Sequence, residues 1–364
     1  MRVGFLALQA PGCSPSQRYR VEAFLERWRA RGIEVDYAWV LDRADLAVFY
    51  GQAPAAHKAA VATRALARRL GSLATLTGPD VWLVQREAFF LGGAWGEWLA
   101  HRRAPLVFDF DDAIWIRTTS AANSRFAWLK NVDKIPRIVA MADAVVAGNQ
   151  YLADWASQHS SAVHVVPTVV DTDRFAPAGR ASAAGGASEP VTIGWSGSAS
   201  TIEHFKPLLP VLERLKARFG GRIAIRVMGD STFSHAPLGL VGEAWTPEAE
   251  LALLARMDIG VMPLPDDDWA RGKCGLKGLV AMSMGAATVM SPVGVNREIV
   301  QEGENGFLAA GDDAWFDVLS RLVDDAALRQ RVGAAGRATV VERYSVSRWA
   351  PVLADLLTRV AGRA

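Results

Sequence analysis

Short apolar runs alternate with longer helical patterns along nearly the whole chain, and this rhythm starts twice. A strand followed by a helix, repeated, is the mark of parallel βαβ units and of a doubly wound sheet. In the first half the predicted strands are Val3–Leu8, Val35–Trp39, Leu46–Phe49, Val81–Gln85, Leu106–Phe110, Ala144–Ala147 and Val163–Val166. A segment of small residues, glycine and proline then reads as a linker, placed at 174–190. After it the pattern resumes with Val191–Trp195, a helix over Glu203–Phe219, Ile223–Met228, a helix over Pro247–Arg256, Ile259–Met262, Ala287–Met290 and Phe307–Leu308, with two more helices to follow.

A chain of 364 residues suits two domains of ordinary size. A formal charge of +2 argues against nucleic acid as the main partner, because counterion release needs a clustered basic surface. Cys13 and Cys274 make no disulfide framework, and a reducing cytoplasm is the simplest compartment. The opening run Met1–Leu8 lacks the long apolar core and cleavage site of a signal peptide and reads as a first buried strand. No apolar run is long enough to span a bilayer, so any membrane contact is expected to be peripheral.

The loop Arg271-Gly272-Lys273-Cys274-Gly275-Leu276-Lys277 lies between two strand-like runs and opens a helix. Unpaired amides at a helix start carry partial positive charge, so a diphosphate can sit there with Lys273 or Lys277 neutralising it. The bland reading is a solvated loop. The turn Gly194-Trp195-Ser196-Gly197-Ser198 can likewise offer amides to a phosphate, or be an ordinary strand-to-helix turn. Trp245 follows a strand and can pack on a planar group or enter the core. Asp266, Asp267 and Asp268 read as solvated rather than as a metal site, and the six histidines show no ligand spacing.

In the first half, Asp109, Asp111 and Asp112 end a buried strand, which is costly unless they face a cleft or find partners. A carboxylate there can orient a hydroxyl or stabilise a nearby cation, or can serve as a helix cap. Arg86 is placed to pair with Asp109 or Asp112. Arg18 and Arg20 can hold acidic groups such as a lipid diphosphate, or merely decorate a helix start.

Several ordered strings together resemble the GT-B glycosyltransferases, in particular glycosyltransferase family 4. They are Val166–Phe175, Gly194–Ser198, Met257–Leu264, the lysine loop with Ala281–Gly285 and Ser291–Glu298, and Glu302–Leu308. The resemblance implies an α/β chain of GT-B type, two doubly wound Rossmann-like domains facing a central cleft. The first, 1–173, would take the acceptor side, and 191–346 would hold the donor, with a final helix at about 347–364 packing back onto the first.

By resemblance Ser196, Gly197, Lys273, Gly275, Leu276, Lys277 and Trp245 would bind the donor. Asp111 and Lys273 would be catalytic, and Arg18, Arg20, Arg86, Asp109 and Asp112 would lie on the acceptor side. The family's E-x7-E glutamates fall at Gly272 and Val280, so both are missing here. The implied activity is retaining transfer of a hexose or related sugar from a nucleoside-diphosphate sugar to a glycan or lipid-linked acceptor. It would need no cofactor or metal and would serve polysaccharide or glycoconjugate assembly in the cytoplasm or at the inner membrane face. The missing glutamates leave a second reading open, a nucleotide-binding partner protein without catalysis.

Overall fold

The computed structural model describes residues 1–76, 78–117, 131–177, 189–199 and 201–362. Much of the segment expected as a linker, 178–188, lies outside them. The chain divides into two compact units, one of Met1–Thr168, Gly272–Cys274 and Val346–Ala364, the other of Val169–Arg271 and Gly275–Ser345.

The first unit is built on six parallel strands, β1 (Arg2–Leu6), β2 (Glu34–Ala38), β3 (Val81–Gln85), β4 (Leu106–Phe110), β5 (Ala144–Ala147) and β6 (Val163–Val165). Their order in the sheet is β2-β1-β3-β4-β5-β6. Every residue of β3 and β4 is buried, as continuous apolar runs in a sheet covered on both faces require. The C-terminal helix Val346–Ala361 packs in this unit, where the Trp28 indole Nε1–H donates to the Ala350 carbonyl at 3.1 Å.

Leu46–Phe49, expected as a strand, lies instead in the helix Arg43–Tyr50. Asp42 caps it in a reciprocal box with Asp45, and the buried Asp45 carboxylate also accepts from Arg64 and Arg68 of the long helix Ala55–Thr75. A run of four apolar residues is too short to show a period, and the capping acids before it decide the outcome.

The second unit holds β7 (Val191–Ser196), β8 (Ile223–Met228), a small antiparallel pair β9 (Ser234–His235) and β10 (Leu240–Val241), then β11 (Ile259–Met262), β12 (Ala287–Met290) and β13 (Phe307–Leu308). Its parallel sheet runs β13-β12-β11-β7-β8. Ile193, Val227, Ile259, Val261 and Val289 from this sheet share a core with Val211, Leu212 and Leu215, the apolar stripe of the helix Leu209–Phe219. The single helix expected over Glu203–Phe219 is broken into Ile202–Phe205, a 3-10 turn at Lys206–Leu208 and Leu209–Phe219. Pro207 and Pro210 each remove an amide donor and crowd the preceding turn. Among the described residues no helix is long and apolar enough to cross a membrane.

One buried cation ties the first unit together. Arg69 is wholly buried and donates to the carbonyls of Ala7, Ala38 and Ala88 at 2.6, 3.0 and 2.8 Å, at the end of β2 and just past the ends of β1 and β3. Burial pushes its pKa down to about 10, still charged at neutral pH. Replacing it with methionine leaves three buried carbonyls without donors. We expect Arg69→Met to cost at least about 3 kcal/mol in urea unfolding.

Candidate functional site

The acids that end β4 find their partners within the first unit. Arg20 and Asp109 are each about 1% exposed and form a two-pronged pair, Nη2 to Oδ1 at 2.5 Å and Nε to Oδ2 at 3.2 Å. Arg20 also donates to the Val166 carbonyl. The expectation that Arg20 and Asp109 face an acceptor is therefore corrected: each satisfies the other in a buried pair that pins the helix Pro15–Arg20 to the end of β4. Arg18 is half-buried, its guanidinium 5.4 Å from the Tyr19 ring centroid.

Arg86, Asp111, Asp112 and Lys273 come together as one cluster. Arg86 Nε donates to Asp111 Oδ1 at 2.9 Å, and Nη2 donates to Asp112. The Lys273 ammonium donates to the other Asp112 oxygen at 2.8 Å. Gln85 Nε2 reaches Ser16 Oγ at 2.6 Å and Asp111 Oδ1 at 3.4 Å. Burial pushes the Asp112 carboxyl up, but Arg86 and Lys273 outweigh it and hold it below the ordinary carboxylate range.

Arg86 is the one non-glycine among the described residues with a left-handed backbone, φ 65°. Such a conformation costs roughly 1–3 kcal/mol and persists where its surroundings demand it. Here the Arg86 amide donates to the Asp109 carbonyl at 2.7 Å while its side chain crosses to the two following acids.

Lys273 reaches Asp112 because Gly272-Lys273-Cys274 packs into the first unit. A Cβ on Gly272 would stand 2.8 Å from the Ala113 Cβ and 2.9 Å from its nitrogen, so no side chain fits there. The glutamate that the resemblance would place at 272 is thus excluded by packing. Cys274 donates its thiol to the Asp111 carbonyl at 3.2 Å. Burial pushes that thiol well above the ordinary range, with Asp111 adding to the rise, so it is a neutral packing group.

Asn149 was missed from sequence. It precedes the helix Gln150–Ala156, and its amide donates to the carbonyls of Gly272 and Lys273 at 3.2 and 3.1 Å. An asparagine before a helical pattern signals a cap and carries no hint of a partner 123 residues away. Beyond Asp112, Trp115 stacks flat on Trp155 of the same helix, centroids 4.0 Å apart, which anchors the loop that carries the acids.

In the second unit Ser196, Gly197, Gly275, Leu276 and Lys277 lie at or beyond the carboxyl ends of β7 and β11, the rim where such sheets bind ligands. Ser196 ends β7 and donates from Oγ to Glu250 Oε1 at 3.1 Å. The Gly197 amide donates to the Met228 carbonyl at 3.0 Å, and a Cβ there would run into the Trp195 ring. Gly275, with φ 72° and no room for a side chain against Ile299, opens the helix Leu276–Ser283. Leu276 is half-buried in its first turn, and the next residue, Lys277, places its ammonium 5.7 Å from the Trp195 ring centroid. Trp245 is half-buried in the segment after β10. Val280, at the position of the second absent glutamate, is 4% exposed. Among the described residues no cluster suited to a metal ion occurs, and Asp266 and Asp268 both pair with Arg271.

Residues 191–325 match the family described as Glycosyl transferases group 1. No curated protein matches the chain. Among solved structures, a sucrose-phosphate synthase from Thermosynechococcus elongatus superimposes with a TM-score of 0.73 at 15% identity, covering 100% of both chains. HepE from Anabaena, in complex with UDP and glucose, gives 0.67 at 14% identity over 98% of this chain and 99% of its own. The catalytic domain of starch synthase IV from Arabidopsis thaliana, bound to ADP and acarbose, gives 0.66 at 12% identity over 99% of each. The second unit contains the stretch that this family model matches, and the chain has an α/β fold of GT-B type with two parallel sheets.

The Asp112 cluster makes stability pH-dependent in a defined direction. A carboxyl held below its unfolded value of about 3.9 stabilises the fold above that pH, and the contribution fades as pH falls through the folded value. Asp112→Asn removes the charge shared by Arg86 and Lys273. We expect a loss of about 3 kcal/mol at pH 7, with the gap to the parent narrowing below about pH 4, read from urea midpoints across pH.

Proposed function

We propose that the protein is a retaining glycosyltransferase that moves a sugar from a nucleoside-diphosphate donor to a glycan or lipid-linked acceptor. The observation that carries this reading is the grouping, inside the matched group 1 domain, of the Ser196–Gly197 turn and Lys277, with the Lys277 ammonium over Trp195. Glycines there let backbone approach a diphosphate, and a cation in the first helical turn opposes the helix dipole until an anion arrives. HepE, which shares the fold, is described with UDP and glucose bound, and starch synthase IV with ADP.

On this reading Ser196, Gly197, Gly275, Leu276 and Lys277 hold the diphosphate and Trp245 packs toward the base. The leaving phosphate draws the proton from the incoming hydroxyl on the same face of the sugar, which retains configuration. The chain supplies position and charge stabilisation. Asp111 orients the acceptor hydroxyl, and Lys273 keeps Asp112 ionised beside it. Arg86 and half-buried Arg18 stand on the acceptor side. No metal or cofactor enters. A place in polysaccharide or glycoconjugate assembly, in the cytoplasm or peripherally at the inner face of the membrane, fits a lipid-linked acceptor.

Calorimetric titration with UDP, GDP, ADP and their glucose and mannose conjugates tests the reading. We expect selective binding of one nucleotide, weakened about 10- to 100-fold in Lys277→Ala, or roughly 1.4–2.8 kcal/mol. Transfer should then be detected with the matching sugar conjugate, with the product anomer read by NMR. Binding without transfer to any acceptor would replace this reading with that of a nucleotide-binding protein lacking catalysis.

A further inference from the structure

The tripeptide Gly272-Lys273-Cys274 belongs to the first unit although Arg271 before it and Gly275 after it belong to the second. Such a short excursion has no secondary structure of its own to hold it, so what fixes Lys273 must come from side chains and close packing. Packing accounts for its two ends. Gly272 lies against Ala113, and Cys274 fills the space that a Cβ on Gly148 would need, at 2.5 Å from that Cβ. At the middle, the side chain of Asn149, itself 3% exposed, bonds the backbone of the tripeptide.

Asn149 does two jobs with the two ends of its amide. Its Oδ1 accepts from the Leu152 amide at 2.9 Å and caps the helix Gln150–Ala156. Its Nδ2 donates to the Gly272 and Lys273 carbonyls. The second job is open only to a side chain that both accepts and donates at this length. Aspartate caps equally well but sets a negative charge against two carbonyl oxygens, and serine caps without reaching them.

We infer that Asn149 is a positioning residue for Lys273, fixing the backbone from which the lysine reaches Asp112. This rests on the glycosyl-transfer reading for its catalytic consequence, though not for its geometry. Among the described residues, Arg86, Lys273 and the Cys274 thiol face Asp112, with the Arg20–Asp109 pair beyond. Lys273 is the one that Asn149 controls.

The test uses Asn149→Ser and Asn149→Asp, which keep the cap, together with Lys273→Met and the Asn149→Ser/Lys273→Met double variant. The melting temperature of Asn149→Ser should stay within about 4 °C of the parent. Its kcat/KM should fall about 10- to 100-fold, and Asn149→Asp should fall at least as far. In the Lys273→Met background the serine change should cost little further, because both act through one ammonium. Fully additive losses would overturn the inference. A readout that needs no substrate is the carboxyl carbon titration of Asp112 by NMR, which should move upward in Asn149→Ser and in Lys273→Met alike. An Asp112 titration unmoved by Asn149→Ser overturns the inference, whatever the enzyme does. If that titration moves while the parent transfers no sugar, the positioning stands and only the transfer reading fails.

Discussion

Three carboxylates crowd the end of the fully buried strand β4, and the structure around them answers the problem of burying charge. Removing a carboxylate from water costs several kcal/mol unless cations and donors replace the solvent. Arg20 takes Asp109, Arg86 spans Asp111 and Asp112, and Lys273 completes Asp112. Each partner comes from a different part of the chain. The helix after β1, the strained residue after β3 and the lysine loop after β11 are therefore all tied to the same strand end.

That arrangement alters how the lysine loop is understood. Taken alone, Gly272 to Lys277 is an anion-binding helix start. In the structure it is split: Lys273 serves the acids of the first unit, while Gly275 to Lys277 belong to the second, with the Lys277 ammonium near the Trp195 ring. The two lysines share a motif but have different neighbours, so they need separate roles. The glycine at 272 has a packing reason as well, since Ala113 occupies the space of any side chain there.

Legibility from sequence followed the range of the interactions involved. Strands β3, β4, β5, β8, β11 and β12 were read to the residue because each is a compact apolar run bounded by turns or charges. The fold class came with them, since alternating runs of this kind leave few topologies open. Leu46–Phe49 failed because its helix depends on caps and on arginines in the next helix. The residues of the strand-end cluster were named from sequence, but not their pairing. Arg20 was given to an acceptor when it belongs to Asp109, and Asn149 went unnoticed.

Two rounds of strand and helix, the small-residue segment between them, the acids at the end of β4 and the lysine-glycine loop are all legible along the chain. These are local patterns, carried by hydrophobic period and by turn residues a few positions apart. Folding in three dimensions settles which cation meets which carboxylate, leaves residue 272 no room for a side chain, and sets Asn149 against the backbone of Lys273. Those outcomes depend on groups from 25 to 161 residues apart becoming neighbours at one end of the sheet, where burial makes every unpaired charge costly.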